Sequence, residues 1–386
     1  MRSCRWSLAL VSFALLFALV LGTSVFGAGE SAPIRIGLQA PITGSWAYEG
    51  EMARNCVQIV ADEINSKGGI LGGRKVEIVI GDDQGSPKQS ALVAQRMISE
   101  NVVAVIATYG SSINEPASTI YERQGLLNIA YGSTAVQLTE HGWKYFFRTC
   151  FRDDRQGNFF AEFVNDVLEA QNVAIIHDNT TFGKGLAEAA RASLEKANKA
   201  RIVFYDVITP GERDFTPVLS RMNRTNPDVL YFTGYFSEAG LIIRQMRELG
   251  SKAIFVGGNA AINDEFIEIA GIDVATGALM TQEPMPTDLK YPESQAFLDE
   301  YIRRHGVPPS SPWPVYAADA LKVIVAAIEA TGSTDSKVLA DYIRDEMEGL
   351  PGITGPIGFD EVGDRTGDIY MSYEVTADGK FQPYQP

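Results

Sequence analysis

Short apolar runs alternate with longer amphipathic segments along this sequence, in two consecutive series. Such runs predict strands, and the segments between them predict helices. Strands that alternate with helices in this way form parallel sheets with right-handed crossovers. We therefore predict an α/β protein with two doubly wound parallel sheets. The predicted strands are residues 34–38, 75–81, 102–107 and 126–130 in the first series, and 173–177, 202–208, 229–233 and 253–256 in the second.

Local signals mark the start of two helices. Ser86 followed by Pro87 is typical of an N-cap and a first helical residue. Ser112 and Glu115 have the spacing of a capping box, so a helix is predicted to begin there. The other predicted helices are residues 50–65, 185–197, 216–223, 238–249, 291–305, 316–331 and 336–348, and a hairpin of residues 370–375 and 381–384 is predicted to close the chain.

The N-terminal segment has the features of an export signal. Two arginines precede an apolar run from Leu8 to Leu21, which small residues follow. This run is shorter than the roughly 20 residues that span a bilayer. We predict that residues 1–28 are a secretory signal peptide, cleaved after Gly27 or Ala28. The mature protein is then expected to be soluble and periplasmic.

Charge and cysteine usage exclude several classes of function. The chain of 386 residues has a formal charge of −15 and no basic cluster, so we expect no nucleic-acid partner. Only Cys56 and Cys150 follow the predicted signal peptide, and they form either one disulfide or two buried thiols. We expect no metal and no cofactor, because the sequence contains neither a CxxC pair nor a metal-ligand spacing.

The predicted topology selects the loops that can bind a ligand. In open parallel sheets, ligands lie outside the carboxyl ends of the strands, where the strand order reverses. The loops at these positions are rich in hydroxyl groups and aromatic rings, which we expect to line a pocket. Their side chains include Ser111, Ser112, Ser133 and Thr134, and the rings of Trp46, Tyr109, Tyr131, Phe182 and Tyr235.

Ser111 and Thr134 support the sharpest hypothesis about this pocket. Each lies where a strand leads into a predicted helix, so free N–H groups and the helix dipole converge there. A carboxylate group fits such a position. The alternative is that both hydroxyl groups cap their own helices, which is the commoner use of Ser and Thr there. Spacing alone leaves both interpretations open.

Several short motifs occur in the order and spacing of one protein family. Because these motifs occur in that order, the sequence resembles leucine/isoleucine/valine-type substrate-binding proteins of ABC importers, which have the type I periplasmic binding protein fold. The similarity runs from about Ile34 to the terminal hairpin. The motifs are Pro41-Ile42-Thr43-Gly44, Asn65-Ser66-Lys67-Gly68-Gly69-Ile70, Glu115-Pro116-Ala117-Ser118, Phe147-Arg148-Thr149, Ile176-His177-Asp178 and Gly183-Lys184-Gly185.

The resemblance implies two lobes that are joined by a three-segment hinge and close on a ligand. Lobe 1 would contain residues 29–150 and 283–368, and lobe 2 would contain residues 151–282 and 369–386. The implied function is that of a monomeric protein without catalytic activity. It would capture a branched-chain or other apolar amino acid and deliver it to the membrane permease of an ABC importer.

The resemblance also implies a ligand site with one departure from the family. Asn259 stands where relatives have an acid that pairs with the ligand's ammonium group. We therefore expect either an amino acid whose ammonium group is held by Asn259 with Glu49 or carbonyl groups, or an amine-free aromatic or aliphatic carboxylate. A disulfide of better-known relatives is absent, because its positions are Gly85 and Gly110. The implied ligand contacts are Ser111, Gly132 and Thr134 in lobe 1, Phe182, Tyr235 and Asn259 in lobe 2, and an apolar side-chain pocket of Trp46, Tyr109 and Tyr235.

Two other classes of function fit parts of the sequence. His177 and Asp178 at a strand end could form the general-base pair of an enzyme, but a lone histidine there is more often structural. A ligand-sensing adaptor, or a regulator that responds to an amide, could use the same fold.

Overall fold

The computed structural model describes residues 32–367 and 369–386. The predicted signal peptide, residues 1–28, lies outside the described residues. Within the described ranges, no helix is both long and apolar enough to cross a membrane.

The first sheet contains five strands and is covered by helices. Its strands are β1 (Ile34–Ala40), β2 (Val76–Asp82), β3 (Ala104–Ala107), β4 (Leu127–Ala130) and β5 (Phe146–Arg148), and the helices between them are α1 (Ala47–Ser66), α2 (Pro87–Ser99), α3 (Ser111–Gln124) and α4 (Gln137–Glu140). All neighbours are parallel, in the order β2-β1-β3-β4-β5. Every residue of β3 and β4 is buried, as a sheet covered on both faces requires.

The second sheet repeats this arrangement. Its parallel strands are β6 (Asn172–His177), β7 (Arg201–Val207), β8 (Val229–Thr233), β9 (Ile254–Gly257) and β10 (Leu279–Gln282), in the order β10-β9-β8-β6-β7. The helices of this region are α5 (Asp153–Glu162), which continues into a π-helical turn (Phe163–Val167), α6 (Thr181–Ala197), α7 (Thr216–Asn223), α8 (Phe236–Glu248), α9 (Asp264–Ala270) and α10 (Ile272–Ala275), with 3-10 turns at Asn259–Ala261 and Pro286–Asp288.

The rest of the chain returns to the first sheet and then completes the second. It contains α11 (Pro292–His305), α12 (Trp313–Thr331), α13 (Ser336–Asp345), the hairpin of β11 (Leu350–Gly352) and β12 (Gly355–Ile357), and the strands β13 (Met371–Val375) and β14 (Phe381–Pro383). Helix α12 packs along α1 and contacts β3 and β4. Strand β13 pairs antiparallel with β10, and β14 pairs with β13. The lobe boundaries at residues 150, 282 and 368 stay a prediction.

The predicted fold class and strand alternation are confirmed, but several local predictions are wrong. The capping box at Ser112 does not form, because α3 begins at Ser111 and its N-cap is Gly110, which has no side chain. Helix α1 begins before Gly50, where a Cβ atom would lie 2.1 Å from the carbonyl oxygen of Pro41. This glycine therefore permits a close approach instead of starting the helix. The hairpin of β11 and β12 and the π-helical turn were not predicted.

Candidate functional site

Two sets of loops face each other across a cleft between the sheets. We call the loops after β1, β3 and β4 the first wall, and the loops after β6, β8, β9 and β10 the second wall. The indole ring of Trp46 stacks on the phenol ring of Tyr235 across the cleft, with centroids 4.2 Å apart. Both walls line a pocket of about 320 Å³ that includes these two rings. The walls thus meet at the strand ends that the topology rule selects.

The hydroxyl groups of Ser111 and Thr134 lie at one corner of the first wall. Ser111 Oγ accepts a hydrogen bond from the N–H group of Ala135 at 3.2 Å. Both side chains are buried, and Thr134 Oγ1 has no hydrogen-bond partner in the described chain. The first N–H groups of α3 lack intrahelical partners, and Gly110 supplies no side-chain cap. The interpretation that these hydroxyl groups cap their own helices is therefore wrong, and the carboxylate site at this corner stays a prediction.

Arg148 stabilises the loop that carries Thr134. Its Nη1 atom donates to the carbonyl oxygens of Ser133 at 3.0 Å and Ala135 at 2.9 Å, on either side of Thr134. The guanidinium group is fully buried and pairs with Asp364. Sequence analysis placed Arg148 in a family motif but did not predict this role, because Asp364 is distant in the chain. The ion pair fixes the loop that presents Thr134.

Aromatic rings enclose the space beside this corner. The ring centroid of Tyr109 lies 5.5 Å from that of Trp46 and 5.9 Å from that of Tyr235. The ring of Phe182 lies 5.4 Å from Tyr235, and Trp313 lies 6.2 Å from Tyr109. The structure therefore brings together four of the five aromatic residues that sequence analysis placed at the strand ends, all except Tyr131. It adds Trp313, which no strand-end rule could select, because this residue begins α12.

Three glycines in loops of the first sheet permit the close packing of these rings. A Cβ atom at Gly132 would lie 2.9 Å from Cδ2 of Tyr109. Cβ atoms at Gly85 and Gly110 would each lie 2.9 Å from the ring of Trp46. These last two positions are those at which the resemblance places a disulfide in relatives. In this protein the indole ring of Trp46 occupies that space. Cys56 and Cys150 are both buried and free, so the pair forms two buried thiols.

The second wall brings polar groups to the same interior. Asn259 is fully buried, and its Nδ2 atom donates to Oε2 of Glu283 at 3.4 Å. Asn259 Oδ1 has no hydrogen-bond partner among the described residues. Glu283 follows β10 and is also fully buried. Sequence analysis selected Asn259 but missed Glu283, although Glu283 follows a strand as Asn259 does.

Asp153 is a further buried acid that sequence analysis did not select. It is the first residue of α5, and its N–H group donates to the carbonyl oxygen of Thr134 at 3.1 Å. Its carboxyl group lies beside the Thr134 hydroxyl group, yet neither carboxyl oxygen has a hydrogen bond of normal geometry in the described chain. Burial raises the pKa of Asp153 to about 7, and Thr134 and Arg148 oppose this with smaller effects.

Glu49 is buried at the cleft but has other partners. Its Oε1 atom accepts a hydrogen bond from Asn263 Nδ2, and its Oε2 atom accepts one from Ser311 Oγ, both at 2.7 Å. Burial raises its pKa to about 7, and these two hydrogen bonds oppose the shift. Glu49 thus joins α1 to the segment after β9 and to the segment before α12. This use of both oxygens competes with its predicted role as the acceptor of an ammonium group.

His177 and Asp178 do not have the geometry of a catalytic pair. The Nδ1 atom of His177 accepts a hydrogen bond from the N–H group of Asn179 at 3.0 Å. Asp178 accepts from the N–H group and the hydroxyl group of Thr180, at 3.0 and 2.7 Å. In the described chain no hydrogen bond joins the two side chains, so each stabilises a local turn.

Comparisons with known proteins agree with this geometry. A family model described as periplasmic binding protein matches residues 33–380. The Leu/Ile/Val-binding protein BraC3 of Rhizobium johnstonii is 35% identical over 363 residues, which cover 94% of this chain and 97% of the relative. The crystal structure of the leucine-binding protein LivK of Thermotoga maritima has a TM-score of 0.85 at 29% identity and covers 91% of this chain and 98% of that one. LivJ of Streptococcus pneumoniae, solved in complex with isoleucine, has a TM-score of 0.80 at 26% identity and covers 91% of this chain and 100% of that one. The chain therefore belongs to the periplasmic binding protein family.

Proposed function

We propose that this protein binds an apolar α-amino acid in the cleft and delivers it to the membrane permease of an ABC importer. The observation that carries this proposal is the corner of Ser111 and Thr134, which can hold a carboxylate group beside an enclosed set of aromatic rings. The relatives described above bind leucine, isoleucine or valine, so branched-chain amino acids are the first candidates.

The hydroxyl groups of the corner and the aromatic rings beside it fit the two ends of an apolar amino acid. Each hydrogen bond to a charged carboxylate oxygen contributes about 1.5–3 kcal/mol, and the helix dipole adds about 0.3–2 kcal/mol. The rings of Trp46, Tyr109 and Tyr235 provide apolar surface for the side chain, and Phe182 and Trp313 complete the enclosure. A ligand that has a carboxylate group at one end and an apolar group at the other fits both the corner and the aromatic rings.

The proposal extends to how the protein works. Residues 29–150 with 283–368 form one lobe and residues 151–282 with 369–386 form the other, and the two close on the ligand. The protein acts as an exported monomer in the periplasm after cleavage of residues 1–28. It binds its ligand stoichiometrically and does not transform it.

Direct identification of the ligand tests this proposal. Mass spectrometry of the small molecules released by denaturing the purified protein should detect an apolar amino acid. Added leucine, isoleucine or valine should raise the free energy of unfolding as RT ln(1 + [L]/Kd) and be recovered unchanged. Stabilisation by hydroxybenzoate-like acids, without stabilisation by these three amino acids or phenylalanine, would contradict the amino-acid assignment. Recovery of an altered ligand would contradict the absence of catalysis.

A further inference from the structure

Asp153 lies beside the Ser111 and Thr134 corner, and two further buried polar side chains follow β9 and β10. Asp153, Asn259 and Glu283 are each fully buried. Both oxygens of Asp153 and Oδ1 of Asn259 have no hydrogen-bond partner within the described residues. A buried acceptor without a donor costs about 1–3 kcal/mol. These atoms therefore point to a ligand that brings hydrogen-bond donors into this part of the cleft.

The charge of this interior favours a cationic donor. Burial raises the pKa values of Tyr231 and Cys150, and the negative charges of Asp153 and Glu283 add to both effects. Both acids therefore lie within electrostatic range of the same two side chains. Two buried cations have partners elsewhere: Arg148 is paired with Asp364, and Arg365 donates to the carbonyl oxygens of Thr149 and Thr354. Among the described residues, no Lys or Arg side chain forms a salt bridge with Asp153.

The sheet register explains why Glu283 can act together with Asn259. Strands β9 and β10 are parallel, with Gly257 opposite Met280, so the residues that follow them lie side by side at the carboxyl edge. The 3.4 Å contact between Asn259 Nδ2 and Glu283 Oε2 leaves Asn259 Oδ1 available. The carboxylate is thus displaced by one strand from the residue that occupies the family's acidic position.

We infer that Asn259 and Glu283 together receive the ammonium group of the ligand, so that the site selects α-amino acids over amine-free carboxylates. This inference rests on the proposed function. An ammonium group has three donors and needs a charged partner when it is closed away from water. Asn259 supplies one acceptor, Glu283 supplies the charge, and Asp153 beside Thr134 adds two acceptor oxygens.

Matched pairs of ligands test the inference. Calorimetry compares leucine with 4-methylpentanoate and phenylalanine with 3-phenylpropanoate, pairs that differ only in the amine. The wild-type protein should bind the amino acid of at least one pair and discriminate against its amine-free partner. Glu283→Gln should weaken amino-acid binding about 30- to 3,000-fold, because it removes one partner of a buried charge pair. Binding of the amine-free acid should not weaken. Asp319→Asn is the control, since it neutralises a buried acid of α12 that accepts hydrogen bonds from the N–H groups of Ile353 and Thr354 instead of facing the cleft loops.

A second set of variants separates a direct role of Glu283 from a structural one. Asn259→Ala should weaken binding of the amino acid about 5- to 100-fold and leave the affinity for the amine-free acid unchanged. Adding Asn259→Glu to Glu283→Gln returns a carboxylate to the neighbouring strand end and should restore preference for the amine. If the variants at 259 and 283 weaken both members of a pair equally, or weaken neither, the inference is wrong while the proposed function stands. If the wild-type protein binds only amine-free acids, both are wrong.

Discussion

The two walls of the cleft are built differently. In the first wall, a buried ion pair and hydrogen bonds to main-chain groups fix the loop around Thr134. In the second wall, Asn259 and Glu283 are joined by one long hydrogen bond, and Asn259 keeps an acceptor without a protein donor. The first wall is therefore organised before any ligand arrives, whereas the second wall keeps polar groups that a ligand can satisfy.

This difference suggests that the two walls have different roles in ligand binding. A preorganised loop reduces the entropy lost on binding, so the first wall should supply affinity for any ligand with a carboxylate group. Buried groups that only a matching ligand can satisfy provide specificity, because the wrong ligand leaves them unpaired. The second wall should therefore decide which carboxylate is accepted.

The largest expected effect is the loss of the ion pair behind the first wall. Arg148→Ala should lower the free energy of unfolding by about 3–5 kcal/mol, because it leaves Asp364 with less compensation in the interior. It should also weaken carboxylate binding, because the loop around Thr134 loses its support. Urea unfolding and calorimetry measure the two effects. Arg152→Ala, which removes the partly exposed partner of the same carboxylate, should cost roughly 1 kcal/mol. Wild-type affinity in Arg148→Ala would show that the corner does not need this support.

The second-largest effect is expected from the hydroxyl groups of the first wall. Ser111→Ala and Thr134→Ala should each weaken binding by about 1.5–3 kcal/mol, because each removes a hydrogen bond to a charged oxygen. Thr134→Ala should change the stability of the unliganded protein by less than about 1 kcal/mol, since its hydroxyl group lies beside the Asp153 carboxyl group without a hydrogen bond of normal geometry in the described chain. Ser111→Ala should cost about 1 kcal/mol, because Ser111 accepts from Ala135. Calorimetry and urea unfolding distinguish these effects, with Thr119→Ala as the control, because the Thr119 hydroxyl group donates to the carbonyl oxygen of Glu115 within α3. Unchanged affinity in both variants would place the carboxylate elsewhere.

The pH dependence of stability tests the contact between the walls at Glu49. Its pKa is raised from 4.5 to about 7, so between these pH values the folded protein binds a proton that the unfolded chain has lost. Stability should therefore fall by roughly 2.5 kcal/mol as the pH rises from about 4.5 to 7. Glu49→Gln should remove this part of the slope. Because Asp153 titrates in the same range, the measurement is the difference between the wild-type and variant unfolding curves. Parallel curves would mean that Glu49 does not titrate in this range.

The smallest expected effect concerns the aromatic contact across the cleft. Trp46→Phe should weaken ligand binding by about 1 kcal/mol, because it reduces the stack with Tyr235 that joins the walls. Calorimetry measures the change, and Trp143→Phe is the control because Trp143 contacts Phe146 outside the cleft. An equal loss in both variants would indicate a general effect on packing.

Much of the site could be predicted because its residues follow strands. Ser111, Thr134, Phe182 and Tyr235 lie within five residues of the end of a strand, and the carboxyl ends of parallel strands meet at one edge. Glu283 also follows a strand, but its strand was not recognised in the sequence. Trp313 lies at the start of a helix far along the chain, where no rule of strand ends applies.

The sequence by itself determined the two α/β sheets and the loops that form the cleft, because hydrophobic periodicity is a local property of the chain. Only the tertiary structure decided which polar groups meet inside that cleft. Arg148 and Asp364 are 216 residues apart, and Glu49 and Ser311 are 262 residues apart. Such pairs form only when the chain returns to the first sheet after β10, and no local sequence pattern predicts that return. For the same reason, Asn259 alone suggested a missing charge, whereas the pairing of β9 with β10 placed Glu283 beside it.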